Sequence, residues 1–144
     1  MHEHSHTVSI ERSAADVFPF LVESEKRKLW VQGLVESSPV NGDALGVGSR
    51  FRDVVVDHGT RMTVDAEIER YEPNDALTAR LEAKGFVSRL SYALQEKGGR
   101  TSLVCSVETE FTMRIARLFS PLVVKHAQTA VENSLAALKR ELEH

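Results

Sequence analysis

The chain has 144 residues, of which 42% are hydrophobic and 27% are charged, a composition typical of one folded domain with a substantial core. Its formal net charge is -3, and lysine and arginine are scattered among acidic residues, which argues against a nucleic-acid-binding surface. We therefore expect residues 1–144 to form a single domain without a nucleic-acid partner.

The sequence shows no pattern typical of a membrane span or a secretion signal. No apolar run is long enough to span a bilayer, and no charged and apolar leader precedes a small-residue cleavage site. Cys105 is the only cysteine, which excludes an internal disulfide and agrees with a reducing compartment. We expect a cytoplasmic protein. The ending Leu142-Glu143-His144 looks like the remnant of a cloning site and tag.

The first forty residues predict a strand and two short helices. Alternation over residues 4–10 predicts a half-buried strand, and Ser13, three residues before Asp16, predicts the cap of a short helix. Ser24 is a second candidate cap, for a helix over residues 25–30 that carries three basic residues, Lys26, Arg27 and Lys28, on its wetter side. Gly33 should end that helix, and a weaker strand should follow from Val35 to Val40.

A glycine-containing loop, Asn41-Gly42-Asp43 to Gly48, leads into five further strands. They cover residues 51–57, 61–71, 77–82, 86–95 and 101–111, with turns at His58-Gly59, Pro73-Asn74-Asp75, Gly85 and Gly98-Gly99. Alternation assigns one inward set, namely Met62, Val64, Ala66, Ile68, Leu77, Ala79, Leu81, Ser88, Leu90, Tyr92, Leu94, Leu103, Cys105, Val107, Thr109 and Phe111. The run Val54-Val55-Val56 leaves the facing of the strand at 51–57 open.

The last stretch predicts one long amphipathic helix. Met113 to Phe119 reads as a helical turn, Ser120 as an N-cap and Pro121 as a first helical residue, and no glycine or proline follows. At about 100° per residue, one arc collects the apolar side chains Val124, Ala127, Val131, Leu135, Leu138 and Leu142, with Ser134 among them. This helix is the only element long enough to cover the apolar face of an antiparallel meander.

The resulting order, β-α-α-β6-α, resembles the helix-grip α+β fold of the START-like (SRPBCC) superfamily, and local features are similar to its bacterial polyketide cyclase/dehydrase-like branch. The similar segments are Val8-Ser9-Ile10-Glu11-Arg12-Ser13-Ala14-Ala15-Asp16-Val17-Phe18, Gly46-Val47-Gly48-Ser49-Arg50-Phe51, Tyr71-Glu72-Pro73, Gly98-Gly99-Arg100-Thr101-Ser102-Leu103 and Leu135-Ala136-Ala137-Leu138-Lys139. Each is a turn, cap or packing signature, so the resemblance carries fold better than function. It implies a curved sheet wrapped around the C-terminal helix, with a cavity between them for an apolar small molecule.

The candidate ligand-binding residues are those expected to face that cavity: Trp30, Met62, Val64, Ile68, Leu90, Tyr92, Val107, Thr109, Phe111 and His126. Trp30 either contacts the ligand at the cavity mouth or packs under the short helices. The inward strand residues line either a cavity or a solid core. A buried Tyr92 hydroxyl needs a partner, for which a structural group is favoured over a ligand.

Polar candidates outside the sheet are fewer. His126 borders the apolar arc and could move a proton, but no acid or cysteine stands at a spacing that pairs with it. His2, His4 and His6 would share a strand face, yet they lie at a terminus without a third fixed ligand, and we expect no metal site. Gly46-Val47-Gly48 precedes a strand, so we also expect no nucleotide cofactor.

Three functions remain open. The first is binding of a hydrophobic ligand, lipid-like or polycyclic and polyketide-like. The second is a polyketide cyclase or dehydratase type of enzyme, which needs polar groups converging in the cavity, with Tyr92, Thr109, His126 and Asn133 as candidates. The third is a protein-interaction or delivery module, which needs an exposed apolar patch.

Overall fold

The computed structural model describes residues 2–42, 44–57, 59–114 and 120–144. The predicted element order is confirmed. The elements are β1 (His2–Ile10), α1 (Ala14–Val22), α2 (Ser24–Arg27), β2 (Leu34–Pro39), β3 (Arg50–Asp57), β4 (Thr60–Glu72), β5 (Ala76–Ala83), β6 (Phe86–Lys97), β7 (Arg100–Phe111) and α3 (Ser120–Glu143).

The seven strands form one open, curved, antiparallel sheet in the order β1-β7-β6-β5-β4-β3-β2. Consecutive strands from β2 to β7 are neighbours, and β1 adds to the edge of β7. Register shifts between Leu34 and Glu36 and between Ile68 and Arg70 bend the strands that carry them. With α3 against its inner face, this is the helix-grip α+β fold that the sequence predicts.

The inner face follows the predicted alternation. Val64, Ala66 and Ile68 of β4 are buried, as are Leu103, Cys105, Val107 and Phe111 of β7. The structure also settles the facing of β3, because Phe51, Asp53 and Val55 all line the same cavity. Val55 is therefore the inward member of the valine run.

The two short helices differ in how well they were predicted. Ser13 Oγ accepts a hydrogen bond from Asp16 N at 3.1 Å, which confirms the cap of α1. The expected cap at Ser24 is wrong, because Ser24 is the first residue of α2 and its hydroxyl accepts a hydrogen bond from Ser37 instead. Helix α2 has only four residues, and a turn carries the chain on to Gly33.

Helix α3 is buried along its C-terminal half. Leu135, Leu138 and Leu142 belong to the main core, whereas Leu122 near the other end is 71% exposed. Leu142 packs in this core and Glu143 accepts a hydrogen bond from Glu11 N, so two of the three residues of the suspected tag remnant take part in the fold. Residues 115–119 of the predicted turn and the capping side chain of Ser120 lie outside the described residues, as do Asp43 and His58 of two predicted turns.

Across the described parts of the chain, no helix is both long and apolar enough to cross a membrane.

Burial along α3 generates a stability prediction. Leu138 is 0% exposed, so Leu138→Ala should lower the free energy of unfolding by about 2 to 5 kcal/mol. Leu122→Ala makes the same change on the same helix at an exposed position and should cost less than about 0.5 kcal/mol. Chemical denaturation measures both, and equal losses would show that the helix packs through a different face.

Candidate ligand cavity

A cavity of about 160 Å³ lies on the inner face of the sheet. The α1–α2 segment and the residues after it form its roof, and strands β3 to β6 form its floor. The roof residues are Leu21, Val22, Arg27, Val31 and Leu34, and the floor residues are Phe51, Asp53, Val55, Val64, Ala66, Ile68, Leu77, Ala79, Leu81, Leu90 and Tyr92. All but three of these side chains are aliphatic or phenyl groups, which makes the cavity mainly apolar.

The position of the cavity corrects one expectation. It was expected between the sheet and the C-terminal helix, but none of the described residues of α3 lines it. The buried leucines of α3 join a core with Ile10, Val17 and Leu103, and so cover the part of the sheet near β1 and β7. Over β3 to β6, the residues that face the sheet across the cavity come from the α1–α2 segment and the stretch after it.

The volume limits what the cavity accepts. An apolar cavity of about 150 Å³ can hold one benzene molecule, whereas pockets for drug-sized ligands measure about 300 to 1,000 Å³. At about 160 Å³ the cavity has room for a ligand built on one ring.

An ion pair between Arg27 and Asp53 forms the polar part of the wall. Arg27 donates from Nη2 to Asp53 Oδ2 at 2.7 Å and from Nη1 to Oδ1 at 3.2 Å, a bidentate contact. The same Nη1 lies 3.2 Å from Ser37 Oγ, which donates to Ser24 Oγ at 3.0 Å. The side chains of Arg27 and Asp53 are only 17% and 5% exposed.

This ion pair is what the sequence interpretation missed. The sequence pattern predicts Arg27 on the wetter side of its helix with Lys26 and Lys28, whereas the structure shows its guanidinium in the cavity wall. The available signal was Asp53. Once Phe51 and Val55 face inward, the residue between them does too, and a buried carboxylate requires a cation.

Tyr92 is the other polar group that lines the cavity. It was expected to bond a structural partner, but its hydroxyl makes no hydrogen bond with any of the described residues. Every fully buried side-chain nitrogen or oxygen in those residues has a partner, so the unpaired hydroxyl must reach the cavity space. Burial raises the pKa of Tyr92 far above its usual range, and the group remains a proton donor for hydrogen bonding.

Trp30 packs in the core beside the cavity. Its side chain is buried, and Nε1 donates to the Phe20 carbonyl at 2.8 Å, so the indole is satisfied within the protein. The ring lies edge-on to Tyr92 with centroids 6.4 Å apart. Of the two alternatives for Trp30, the structure favours packing under the short helices. Trp30 does not line the cavity itself but contacts Tyr92, which does.

Four of the ten predicted site residues line the cavity: Val64, Ile68, Leu90 and Tyr92. Val107 and Phe111 are buried elsewhere on the inner face, and Thr109 shares a hydrogen bond of 2.8 Å with Ser88. Met62 is 37% exposed near the start of β4. Strand alternation finds the inner face but not the position of the cavity along it.

His126 lies away from the cavity, on the exposed N-terminal half of α3. Its Nε2 is 2.6 Å from Asp57 Oδ2 at the end of β3, and both side chains are about half exposed. Asn133 donates to Gln32 Oε1 at 2.9 Å on the surface. The convergence of Tyr92, Thr109, His126 and Asn133 that an enzyme would need is therefore not found.

His2, His4 and His6 share one face of β1, as predicted. His4 Nδ1 is 2.9 Å from His6 Nε2, and His6 Nδ1 is 3.5 Å from Glu132 Oε1. Burial lowers the pKa of His4, His6 lowers it further, and Glu132 opposes the shift. No group of three or more metal-binding side chains among the described residues is arranged to hold a metal ion.

Comparison with known proteins assigns the chain to one family. The family model described as polyketide cyclase / dehydrase and lipid transport matches residues 1–143. No curated protein matches the chain.

Solved structures with the same fold are numerous. A START superfamily protein from Mycobacterium smegmatis superposes with a TM-score of 0.83 at 19% identity, over 99% of this chain and 98% of its own. A protein from Thermus thermophilus gives a TM-score of 0.82 at 21% identity, over 98% of this chain and 97% of its own. At these identities the likeness shows the fold alone.

The buried ion pair generates a second prediction. Asp53→Ala removes the partner of a mostly buried guanidinium and should cost about 3 to 5 kcal/mol of stability. Replacing both partners, with Arg27→Met and Asp53→Leu, removes the charges together and should restore most of that loss.

The matched control is an exposed ion pair on the outer face. Arg52 Nε lies 3.1 Å from Asp65 Oδ1, with both side chains more than half exposed, so Asp65→Ala should cost less than about 1 kcal/mol. Urea titration of the four proteins measures the difference. If Asp53→Ala and Asp65→Ala lose the same stability, the cavity wall does not depend on the pair.

Proposed function

The chain belongs to the polyketide cyclase/dehydrase and lipid transport family, and from that premise we propose that it binds one hydrophobic small molecule in the cavity beneath α1–α2. One observation carries the proposal. The inner face of the sheet is not filled between β3 and β6, although it is lined there by side chains that would otherwise pack together. Since protein interiors are normally close-packed, an unfilled apolar space of this size is best explained by a ligand.

The chemistry of the lining supports binding over catalysis. Both carboxylate oxygens of Asp53 accept hydrogen bonds from Arg27, so neither can contact a ligand without breaking the ion pair. Cys105, which pairs with Tyr92 across β6 and β7, does not line the cavity, and burial raises the pKa of its thiol to about 12, so it is not a nucleophile at neutral pH. Tyr92 likewise keeps its proton. The described lining thus offers hydrogen bonds to a ligand, but it contains no histidine and its carboxylate is already paired with Arg27.

An enzyme of the polyketide cyclase or dehydratase type is the second candidate, because Arg27, Asp53 and Tyr92 do bring polar atoms to one apolar cavity. A multi-ring intermediate or a fatty acid exceeds a volume of about 160 Å³, however. Such ligands would require the α1–α2 segment to move outward, whereas a one-ring ligand fits the cavity as it stands.

Filling the cavity generates the third prediction. Ala79 lines the cavity, so Ala79→Leu should occupy the ligand's space while leaving the fold intact, because the added methyl groups enter a void. Wild-type protein should bind toluene with a stoichiometry near one and a melting temperature that rises with toluene concentration, and the variant should not.

The control makes the same substitution at Ala93, which is exposed on β6 and away from the cavity. Ala93→Leu should bind toluene like the wild type. Thermal-shift curves and the emission of Trp30, which contacts Tyr92, give two readouts. Absence of any saturable response in the wild type, with toluene or other small apolar compounds, would overturn the proposed function.

A further inference from the structure

We propose that the ligand is a neutral molecule with a single ring whose carbonyl oxygen accepts a hydrogen bond from the Tyr92 hydroxyl. This inference rests on the proposed function and adds the chemical class of the ligand. Three features of the cavity carry it: its size, the state of the Arg27–Asp53 pair, and the unpaired hydroxyl of Tyr92.

The volume of the cavity favours a ligand with a single ring. A space of about 160 Å³ corresponds to one benzene-like ring with a short substituent. Leu77, Leu81 and Leu90 line the floor with aliphatic groups, which favour a ring or alkyl surface over a polar one.

The balanced charges of the cavity wall favour a neutral ligand. Arg27 and Asp53 form a bidentate pair, so the charges in the cavity wall already compensate each other. An anionic ligand would have to compete with Asp53 for the guanidinium and would leave one carboxylate unpaired in a desolvated site. Burying such a charge costs far more than an apolar contact contributes.

The Tyr92 hydroxyl favours a ligand that carries a carbonyl oxygen. This hydroxyl donates to no described residue and reaches a mainly apolar cavity, where a donor without a partner is unfavourable. A ligand that supplies an acceptor satisfies this donor. A carbonyl oxygen brings an acceptor and no further donor, so it leaves no new polar hydrogen unpaired inside a mainly apolar space.

Three probes of nearly the same shape test the inference. Acetophenone carries the ring and the carbonyl, α-methylstyrene replaces the carbonyl oxygen by a CH₂ group, and benzoate carries a negative charge. Titration of each into the wild type and Tyr92→Phe, followed by Trp30 emission and calorimetry, gives six dissociation constants. Tyr92→Phe should fold normally, since the hydroxyl that it removes has no protein partner among the described residues.

Tyr92→Phe should weaken acetophenone binding by about 5- to 100-fold, because the carbonyl is left unsatisfied, and should leave α-methylstyrene within about threefold of its wild-type affinity. Benzoate should bind the wild type at least about tenfold more weakly than acetophenone. As a check that needs no variant, the carbonyl stretching band of bound acetophenone should move to lower wavenumber than in hexane, as hydrogen bonding requires.

The outcomes separate the two proposals. If none of the probes binds the wild type, the proposed function fails. If α-methylstyrene binds but Tyr92→Phe changes both neutral probes equally, if the carbonyl band does not move, or if benzoate binds most tightly, the cavity binds ligands and the neutral carbonyl class is wrong.

Discussion

The ion pair between Arg27 and Asp53 holds the α1–α2 segment over strands β3 to β6, where none of the described residues of α3 lines the cavity. An antiparallel sheet with one apolar face must be covered along its whole width. Helix α3 covers the side of β1 and β7 through Leu135, Leu138 and Leu142. A four-residue helix has little apolar surface of its own, so the bidentate contact to β3, together with the core residues of α1, fixes the rest of the cover.

The cavity follows from this division of the sheet. The α1–α2 segment is tied to β2 and β3 by the polar contacts of Arg27 and Ser24, and its side chains do not fill the space above β3 to β6. The wall that results is apolar, with one charge-compensated pair and one unpaired hydroxyl at Tyr92. The family to which the chain belongs is described as polyketide cyclase / dehydrase and lipid transport, and this apolar wall is the feature on which the proposed ligand binding rests.

The fold was predictable because its signals are local and periodic. Alternation over Val64, Ala66 and Ile68 fixes one strand face, and the apolar arc of Leu135, Leu138 and Leu142 fixes one helix face. The site was less predictable because it depends on distances between elements. A helical projection shows in which direction His126 points around the axis of α3. It does not show that the N-terminal half of α3 lies away from the cavity. Likewise, the basic run at 26–28 does not indicate which of its three side chains points inward. Arg27 does so because it pairs with Asp53, which is distant in sequence.

The most direct test of this account is to locate xenon in crystals of the protein under gas pressure, since xenon occupies dry apolar cavities of this size without requiring any particular ligand. We expect one well-occupied xenon site on the inner face of the sheet, bounded by Ile68, Leu77 and Leu90 and roofed by Leu21. Xenon found only beneath α3, or no xenon between the α1–α2 segment and strands β3 to β6, would contradict it.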